Sequence, residues 1–321
     1  TILAPFDKYY NGVADFKIQM LPSAGDSDPN VVTRAKSGNL DYGYTKMISD
    51  VQALEGTPGI TITPIDVRYT RLFFLNKFDK QDGSPAPLAD ARVRQAIRYA
   101  IDMSTICETL FQGAAVPANA MAPDANLKDS SLNDYNYDPA KAKELLADAG
   151  WDANTTIKVV YYYTDQATVD LMTAIQAYLA DVGIKMEFEL VEGDLATILW
   201  AAPADQTNGP RAVDWDMCYA ANAALSLHEY YDRYRTGSPT NSHTPEDAEL
   251  NRLIDATNAS ADVNAQNEAF KELIKYENEN LFTMALYYQP IFLITSDKIG
   301  DIQKGTPQFC INWDIQNWNV Q

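Results

Sequence analysis

The sequence predicts an α/β protein built as two domains, and three observations carry that reading. The chain has 321 residues of which 46% are apolar, ample for a core but long for a single lobe. Strand-like and helix-like segments alternate along it, with a strand–helix–strand order between Ile157 and Val191 that predicts parallel neighbouring strands. A polar connector rich in Gly, Pro and Ser, Asp79–Pro87 (DKQDGSPAP), separates a first α/β block from the middle of the chain.

The elements follow in order. Phe16–Leu21 alternates apolar and polar residues as a half-buried strand does. Asp28-Pro29 starts a short helix closed by Gly38. Leu40–Tyr44 reads as a strand and Ile48–Leu54 as a helix, and two aromatic and β-branched strands, Ile60–Ile65 and Tyr69–Leu75, complete the first block. Arg92–Ala100 is an amphipathic helix with Val93, Ala96, Ile97 and Ala100 on one face. Asp102 caps the next helix, which carries Ile106, Leu110 and Phe111. Gly113–Asp138 lacks periodicity and reads as an irregular crossing.

Asp138-Pro139 opens the helix Ala140–Ala149, and Gly150 ends it at the position where a left-handed residue is wanted. Ile157–Tyr163 is a strand, Val169–Val182 a helix and Ile184–Val191 a strand. Leu195–Ala202 is a short helix, Trp215–Ala221 a strand, and a helix lies near Glu229–Arg235. Helices Ala248–Asn258 and Asn264–Asn280 precede strands Thr283–Leu286 and Ile291–Thr295, set around a Tyr-Tyr-Gln-Pro turn. The tail Gly305–Gln321 carries Trp313 and Trp318, which need a packing partner to stay ordered.

Composition narrows the function. A formal charge of −19, from 44 acidic and 25 basic residues, disfavours a phosphate-backbone partner and an anionic membrane surface. Cys107, Cys218 and Cys310 are far apart and unpaired by spacing, which predicts inert thiols and neither a zinc site nor a disulfide framework. No stretch reaches the ~18 apolar residues of a membrane span. The opening Pro5–Gly12 (PFDKYYNG) reads as a turn continuing from polypeptide upstream. With two histidines, His228 and His243, and none of the common nucleophile, phosphate-loop or zinc-protease motifs, catalysis has few candidates. Asp26 and Asp28 lack the rest of a calcium loop and read as helix-start residues. Tyrosine is the telling residue: 19 occur, clustered at Tyr9-Tyr10, Tyr161–Tyr163, Tyr230-Tyr231 and Tyr287-Tyr288. Tyrosine gives apolar area with a hydrogen-bonding tip and suits a binding cleft, although in alternating strands about half of such residues face the core. Tyr162 faces opposite to Tyr161 and Tyr163.

Val93–Asp102 (VRQAIRYAID), Gly113-Ala114 with Pro117, Tyr137–Gly150 (YDPAKAKELLADAG) and Trp151 resemble the central signature of the oligopeptide/dipeptide class of extracellular solute-binding proteins that serve ABC transporters. Weaker likenesses extend it: Pro5–Gly12, Ala35–Asp41, Tyr69–Asn76, Ile175–Ile184 and Pro290–Ile299 are similar to further family elements. The resemblance implies a two-lobed, periplasmic-binding-protein-like (type II) α/β fold, one lobe nearly complete and the other partial. Residues 1–90 would be part of the first lobe, 91–284 the ligand-binding α/β domain and 285–321 a return to the first lobe. It implies a binding protein and not an enzyme, with no cofactor. Its partners would be a peptide or other small-molecule ligand and the permease subunits of an importer. It would work at the extracellular face of the membrane or in the periplasm, joined to the membrane only by a lipid anchor outside this chain.

In peptide-binding members the strand matching Trp215–Ala221 leads into a loop whose aspartate holds the ligand's amino group. Here the corresponding stretch, Ala220–Tyr231 (AANAALSLHEYY), has no aspartate before Glu229, and a buried ammonium without a carboxylate is costly. Leu227–Tyr231 (LHEYY) is similar to the Pro-His-aromatic stretch of nickel-binding members, so His228 is either a ligand to a metal chelate or polar solute, or a residue that caps and packs its helix. The expected binding wall is Tyr219, Asn222, Ser226 and His228, with Asn76 at the hinge-side strand, Tyr162 opposite and Trp200 as a stacking surface. Peptide capture leads; a metal chelate or sugar on the same fold, a secreted hydrolase with paired carboxylates, and an adhesin with an exposed apolar patch are the alternatives.

Overall fold

The computed structural model describes residues 1–21, 30–65, 69–123, 125–223, 227–289, 291–300 and 315–321. They divide into two compact units, Thr1–Arg68 with Gln289–Gln321, and Tyr69–Tyr288. In the first unit, β1 (Ile2–Leu3) pairs with β2 (Ile18–Gln19), followed by α1 (Val31–Lys36), β3 (Tyr42–Thr45), α2 (Ile48–Leu54) and β4 (Ile60–Ile65). The predicted strand at Phe16–Leu21 is thus only two residues long, and the predicted helix start at Asp28-Pro29 lies outside the described residues.

The second unit opens with β5 (Tyr69–Leu75), α3 (Ala91–Ala100), α4 (Met103–Thr109), β6 (Val116–Pro117) and α5 (Pro139–Ala149). Then come β7 (Thr156–Tyr161), α6 (Gln166–Asp181), β8 (Lys185–Leu190), α7 (Leu195–Trp200), β9 (Met217–Ala223) and α8 (Leu227–Tyr231). It closes with α9 (Ala248–Ala256), α10 (Val263–Asn280) and β10 (Thr283–Tyr288). The chain then returns to the first unit as β11 (Ile291–Ser296), which pairs between β3 and β4, and ends with β12 (Ile299–Gly300) and β13 (Asn319–Val320). There Trp318 packs on Tyr42 with ring centroids 5.1 Å apart, whereas Trp313 and Cys310 lie outside the described residues.

Aspartate starts most helices of the second unit. Asp90, Asp102, Asp138, Asp165, Asp194, Asp247 and Asp262 each accept a backbone N–H of the first turn, which satisfies a donor that the helix itself cannot. Gly150 ends α5 with φ +70°, the left-handed conformation that glycine takes at no steric cost. The cap at Asp165 explains why α6 starts at Gln166, three residues before its predicted start.

The six-stranded sheet runs in the order β6-β10-β5-β9-β7-β8. β7 pairs parallel with both β8 and β9, while β5 pairs antiparallel with β9 and β10. Because β5 is bound to β9 along its length, the boundary between units falls at residue 68/69, before the Asp79–Pro87 connector. At the other end Tyr287 and Tyr288, expected in a turn, continue β10, and β10 and β11 belong to different sheets.

Alternate residues of the sheet build two cores. Phe73, Leu75, Val159, Tyr161, Met217 and Tyr219 join α3, α4, α5 and α6 on one face. Leu72, Phe74, Val160, Cys218 and Ala220 join α7, α8, α9 and α10 on the other. Each fully buried Leu or Phe contributes about 1.5–3 kcal/mol by leaving water. The arginines of the VRQAIRYAID stretch act inside this scaffold. Arg94 donates to the carbonyls of Leu88 (2.7 Å) and Ala89 (2.7 Å) and to those of Asn280 (2.6 Å) and Leu281 (2.9 Å) at the end of α10. Arg98 donates to Tyr135 O and Ala118 O, which pins the irregular crossing. Burial lowers both guanidinium pKa values to about 10, still far above neutrality.

Asp216 fixes the amino end of β9. Its Oδ1 accepts Arg211 Nη1 at 2.7 Å and its Oδ2 accepts the Lys158 N–H at 2.8 Å. Its own N–H donates to Lys158 O (2.9 Å), and its carbonyl accepts the Asn76 N–H (2.8 Å). Asp216 is 0% exposed, so Asp216→Ala takes from Arg211 its buried carboxylate partner and from the Lys158 N–H its acceptor, and is expected to cost about 3–5 kcal/mol in chemical denaturation. A loss below about 1 kcal/mol would deny it that role.

Glu277 on α10 is buried, accepts the Met121 N–H, and has its Oε2 without a partner among the described residues. Burial raises its pKa from 4.5 to about 8. Folding therefore holds its proton more tightly than the unfolded chain does, and this stability is complete below pH 4.5 and lost as pH rises through 8. The full difference is on the order of 5 kcal/mol. Glu277→Gln is expected to flatten that fall, so its stability relative to wild type rises between pH 5 and about pH 8 and levels off above it in urea titrations.

Candidate functional site

The strand order contains a reversal. The chain leaving β7 passes over the first face through α6, whose Leu171, Met172, Ile175 and Leu179 lie in that core. The chain leaving β9 turns to the second face, where Tyr230 and Tyr231 of α8 and the apolar residues of α9 and α10 are buried. β7 and β9 are parallel neighbours, so their connections diverge and leave a crevice outside their carboxyl ends, where ligands bind in open α/β sheets. Tyr69 pairs with Ala223 and Tyr288 with Thr70. Both points at which the chain leaves the unit therefore lie at that same end.

Four predicted residues stand at or beside this end. Tyr162 directly follows β7, is partly buried, and shares a hydrogen bond with Tyr163 (Oη–Oη 3.1 Å). Burial raises the pKa of its phenol, while Tyr163 and the guanidinium groups of Arg71 and Arg233 pull it down. Asn222 is 9% exposed and donates through Nδ2 to Tyr230 O (3.2 Å) and to the Met121 sulfur (3.0 Å). This ties the end of β9 to α8 and to the irregular crossing. Trp200 ends α7, which follows β8, and meets Phe74 edge-on at 5.0 Å.

His228 in α8 faces the Thr257 hydroxyl at 3.1 Å. That hydroxyl donates its single proton to Ile254 O (2.7 Å). The remaining partnership requires His228 Nδ1–H as donor, which in the neutral imidazole leaves the lone pair on Nε2.

Two predicted residues have other surroundings. Tyr219 is 1% exposed, with its hydroxyl 2.6 Å from that of Tyr287, and burial drives its pKa well upward. It supports Tyr163, whose ring meets it edge-on and carries Arg71 4.1 Å from its centroid. Asn76 is fully buried at the opposite end of β5, its Oδ1 accepting the Phe78 N–H. Since Thr70 faces Asn222, six residues of strand separate Asn76 from that end, roughly 20 Å. The structure does not bring Asn76 to the others. It adjoins a different buried polar group, in which Asn76 Nδ2, Trp215 Nε1, His243 Nε2 and Thr244 Oγ1 have no partner among the described residues. Ser226 lies outside the described residues.

Sequence reasoning missed Arg233, in the 3-10 turn Asp232–Tyr234 after α8. Its guanidinium lies 4.5 Å from the Trp200 ring centroid and 5.8 Å from that of Phe74. A cation inside the aromatic run YYDRY of so acidic a chain was the available signal. Among the described residues no three of His, Cys, Asp and Glu group as metal ligands, and no helix is long and apolar enough to cross a membrane.

Residues 1–244 match the family of bacterial extracellular solute-binding proteins, family 5 (middle region). The chain belongs to this family. A protein of Brucella ovis named as an ABC transporter peptide-binding protein is 39% identical over 100 residues, which are 30% of this chain and 19% of that protein. Among solved structures, the oligopeptide-binding protein AppA of Bacillus subtilis, in complex with a nonapeptide, matches with a TM-score of 0.78 at 17% identity. That match covers all of this chain and 64% of AppA. NikZ of Campylobacter jejuni, in complex with Ni(L-His), gives 0.70 at 17% identity over 89% of this chain and 59% of its own. The chain therefore spans less than two thirds of these structures and shares their two-lobed α/β fold class.

The tautomer at His228 is open to a direct check. Nitrogen-15 NMR of the neutral imidazole is expected to find the proton on Nδ1 and Nε2 bare, and Thr257→Val is expected to mix the two tautomers. Protonation at Nε2 in the unaltered protein would refute the assignment.

Proposed function

We propose that this chain is part of the substrate-binding component of an ABC importer, capturing an oligopeptide or peptide-like solute and delivering it to permease subunits. The crevice at the carboxyl ends of β7 and β9 carries this reading. Its flanks offer a tyrosine, an indole, an amide and a histidine, a mixture of apolar platforms and uncharged hydrogen-bonding groups that suits a peptide backbone. Family membership and the peptide ligands named for AppA and the Brucella protein support the same reading. The family's place outside the cell puts the protein at the extracellular face or in the periplasm, and we propose a lipid anchor in the full-length protein. Binding, with no turnover of the solute, is the role.

A second reading, capture of a metal chelate, is favoured by one observation. The lone pair assigned to His228 Nε2 is the form that ligates a metal, its other nitrogen held by a hydrogen-bond acceptor.

Native mass spectrometry of the full-length protein is expected to find co-purifying peptides. After their removal by unfolding and refolding, calorimetry should give a Kd of roughly micromolar or tighter. Tyr162→Ala should weaken peptide binding by roughly tenfold or more, as loss of an aromatic anchor does, and His228→Ala should weaken it less. Calorimetry that is flat for peptides but responds to nickel–histidine, with that response lost in His228→Ala, would move the site to the second reading.

A further inference from the structure

We infer that the second unit has a built-in site for one ordered water molecule, held by Asn76, Trp215, His243 and Thr244 toward the amino end of β9. The inference is independent of the proposed binding role. Backbone contacts bring the four residues together from three segments. The Asn76 N–H donates to Asp216 O (2.8 Å), which sets Asn76 beside the Trp215-Asp216 step, and the Lys77 N–H donates to His243 O (2.9 Å). Side chains alternate along extended chain, so Asn76 shares a face with Phe74. On that face the His243 ring meets Phe74 edge-on at 5.1 Å and lies 6.3 Å from the Trp215 ring.

Asn76, Trp215 and His243 are 0% exposed and Thr244 is 1% exposed. Asn76 Nδ2, Trp215 Nε1, His243 Nε2 and Thr244 Oγ1 have no partner among the described residues. The other polar groups of these residues are met: Asn76 Oδ1 accepts the Phe78 N–H (3.1 Å), and the Thr244 N–H donates to Asn241 Oδ1 (2.9 Å). A buried polar atom without a hydrogen bond is costly. Four on adjoining segments point to one shared partner, the role that buried water fills.

The protons decide what that partner is. Trp215 Nε1 and Asn76 Nδ2 can only donate. Ser242 Oγ gives its single proton to Leu199 O (2.8 Å) and lies 3.5 Å from His243 Nδ1. That contact needs the imidazole proton on Nδ1 and leaves Nε2 as an acceptor. Burial, aided by the charges of Lys77 and Arg233, pushes the His243 pKa well below its usual 6.5, so the ring is neutral. The site thus offers two donors, one acceptor and a hydroxyl that serves as either. Water fits this set: it accepts from Asn76 and Trp215 and donates to His243 Nε2 and Thr244 Oγ1. A halide has no proton for Nε2, and a metal cation would face two N–H groups. The water joins the exit of β5 to the entry of β9 and to the loop that leads into α9.

The test uses the full-length protein. High-resolution crystallography is expected to find one density peak within hydrogen-bonding reach of the four atoms, with no anomalous signal there after a sodium bromide soak. Nitrogen-15 NMR should place the His243 proton on Nδ1. Thr244→Val keeps the side chain's shape, removes its hydroxyl and supplies a sign. With the water bonded, it should lower the folding constant about two- to tenfold in urea titrations, the effect of one hydrogen bond. With Oγ1 dry, the same change removes a buried unsatisfied group and raises the folding constant. Bromide at the site, the proton on Nε2, no peak, or an unchanged or raised folding constant each overturns the inference. If Thr244→Val fails to fold, the density and the His243 proton in the unaltered protein decide. None of these results bears on peptide capture, which the calorimetry above tests separately.

Discussion

Asp216 stands where three strands are set against one another. Its carbonyl receives Asn76 of the β5 end, its N–H and carboxylate take both backbone groups of Lys158 in β7, and Arg211 neutralises it. Side chains alternate along a strand, so a slip of one residue would exchange the two faces of the sheet. Tyr219 would leave its hydroxyl contact with Tyr287, and Asn222 would lose Tyr230 O and the Met121 sulfur. The polar groups at the far end of the sheet thus decide which side chains reach the crevice.

The reversal between β7 and β9 depends on that register. α6 covers one face because Val159 and Tyr161 present apolar area there, and α8 to α10 cover the other because Val160, Cys218 and Ala220 do. The diverging connections leave room at the strand ends, and the segments entering that room carry Tyr162, Trp200, His228 and Arg233. Met121 links the crevice to the remainder of the unit: its carbonyl accepts Thr70 Oγ1, its sulfur Asn222 Nδ2, and its N–H meets Glu277.

Much of this was legible in the sequence because it is local. Asp–Pro and Gly150 mark α5, Asp102 marks the start of α4, apolar periodicity marks α3, and the parallel pairing of β7 with β8 follows from a strand–helix–strand order. What stayed hidden depends on partners distant in the chain. β5 belongs with the second unit because it pairs with β9, almost 150 residues later. Tyr287 and Tyr288 extend a strand because one reaches the Tyr219 hydroxyl and the other Ala120 O. Asn76 and Asn222 look alike as strand-end amides, and only the antiparallel register puts them at opposite ends.

Charge was read from the sequence as a sum, yet its placement carries the chemistry. The acidic excess is spread over helix caps and exposed pairs such as Arg252–Glu249 and Lys141–Glu144, each worth well under about 1 kcal/mol in water. Cations hold the interior: Arg94 and Arg98 close the ends of helices and the crossing through carbonyls, and Lys77 does so beneath Phe282. Desolvation lowers the pKa of each of these three, opposed in part by Asp90 at Arg94 and by Asp134 at Arg98. Asp216 and Glu277 are buried, but the carboxylates of the exposed pairs lie in solvent, where they are screened, while the guanidinium groups of Arg71 and Arg233 lie against aromatic rings, where screening is weaker.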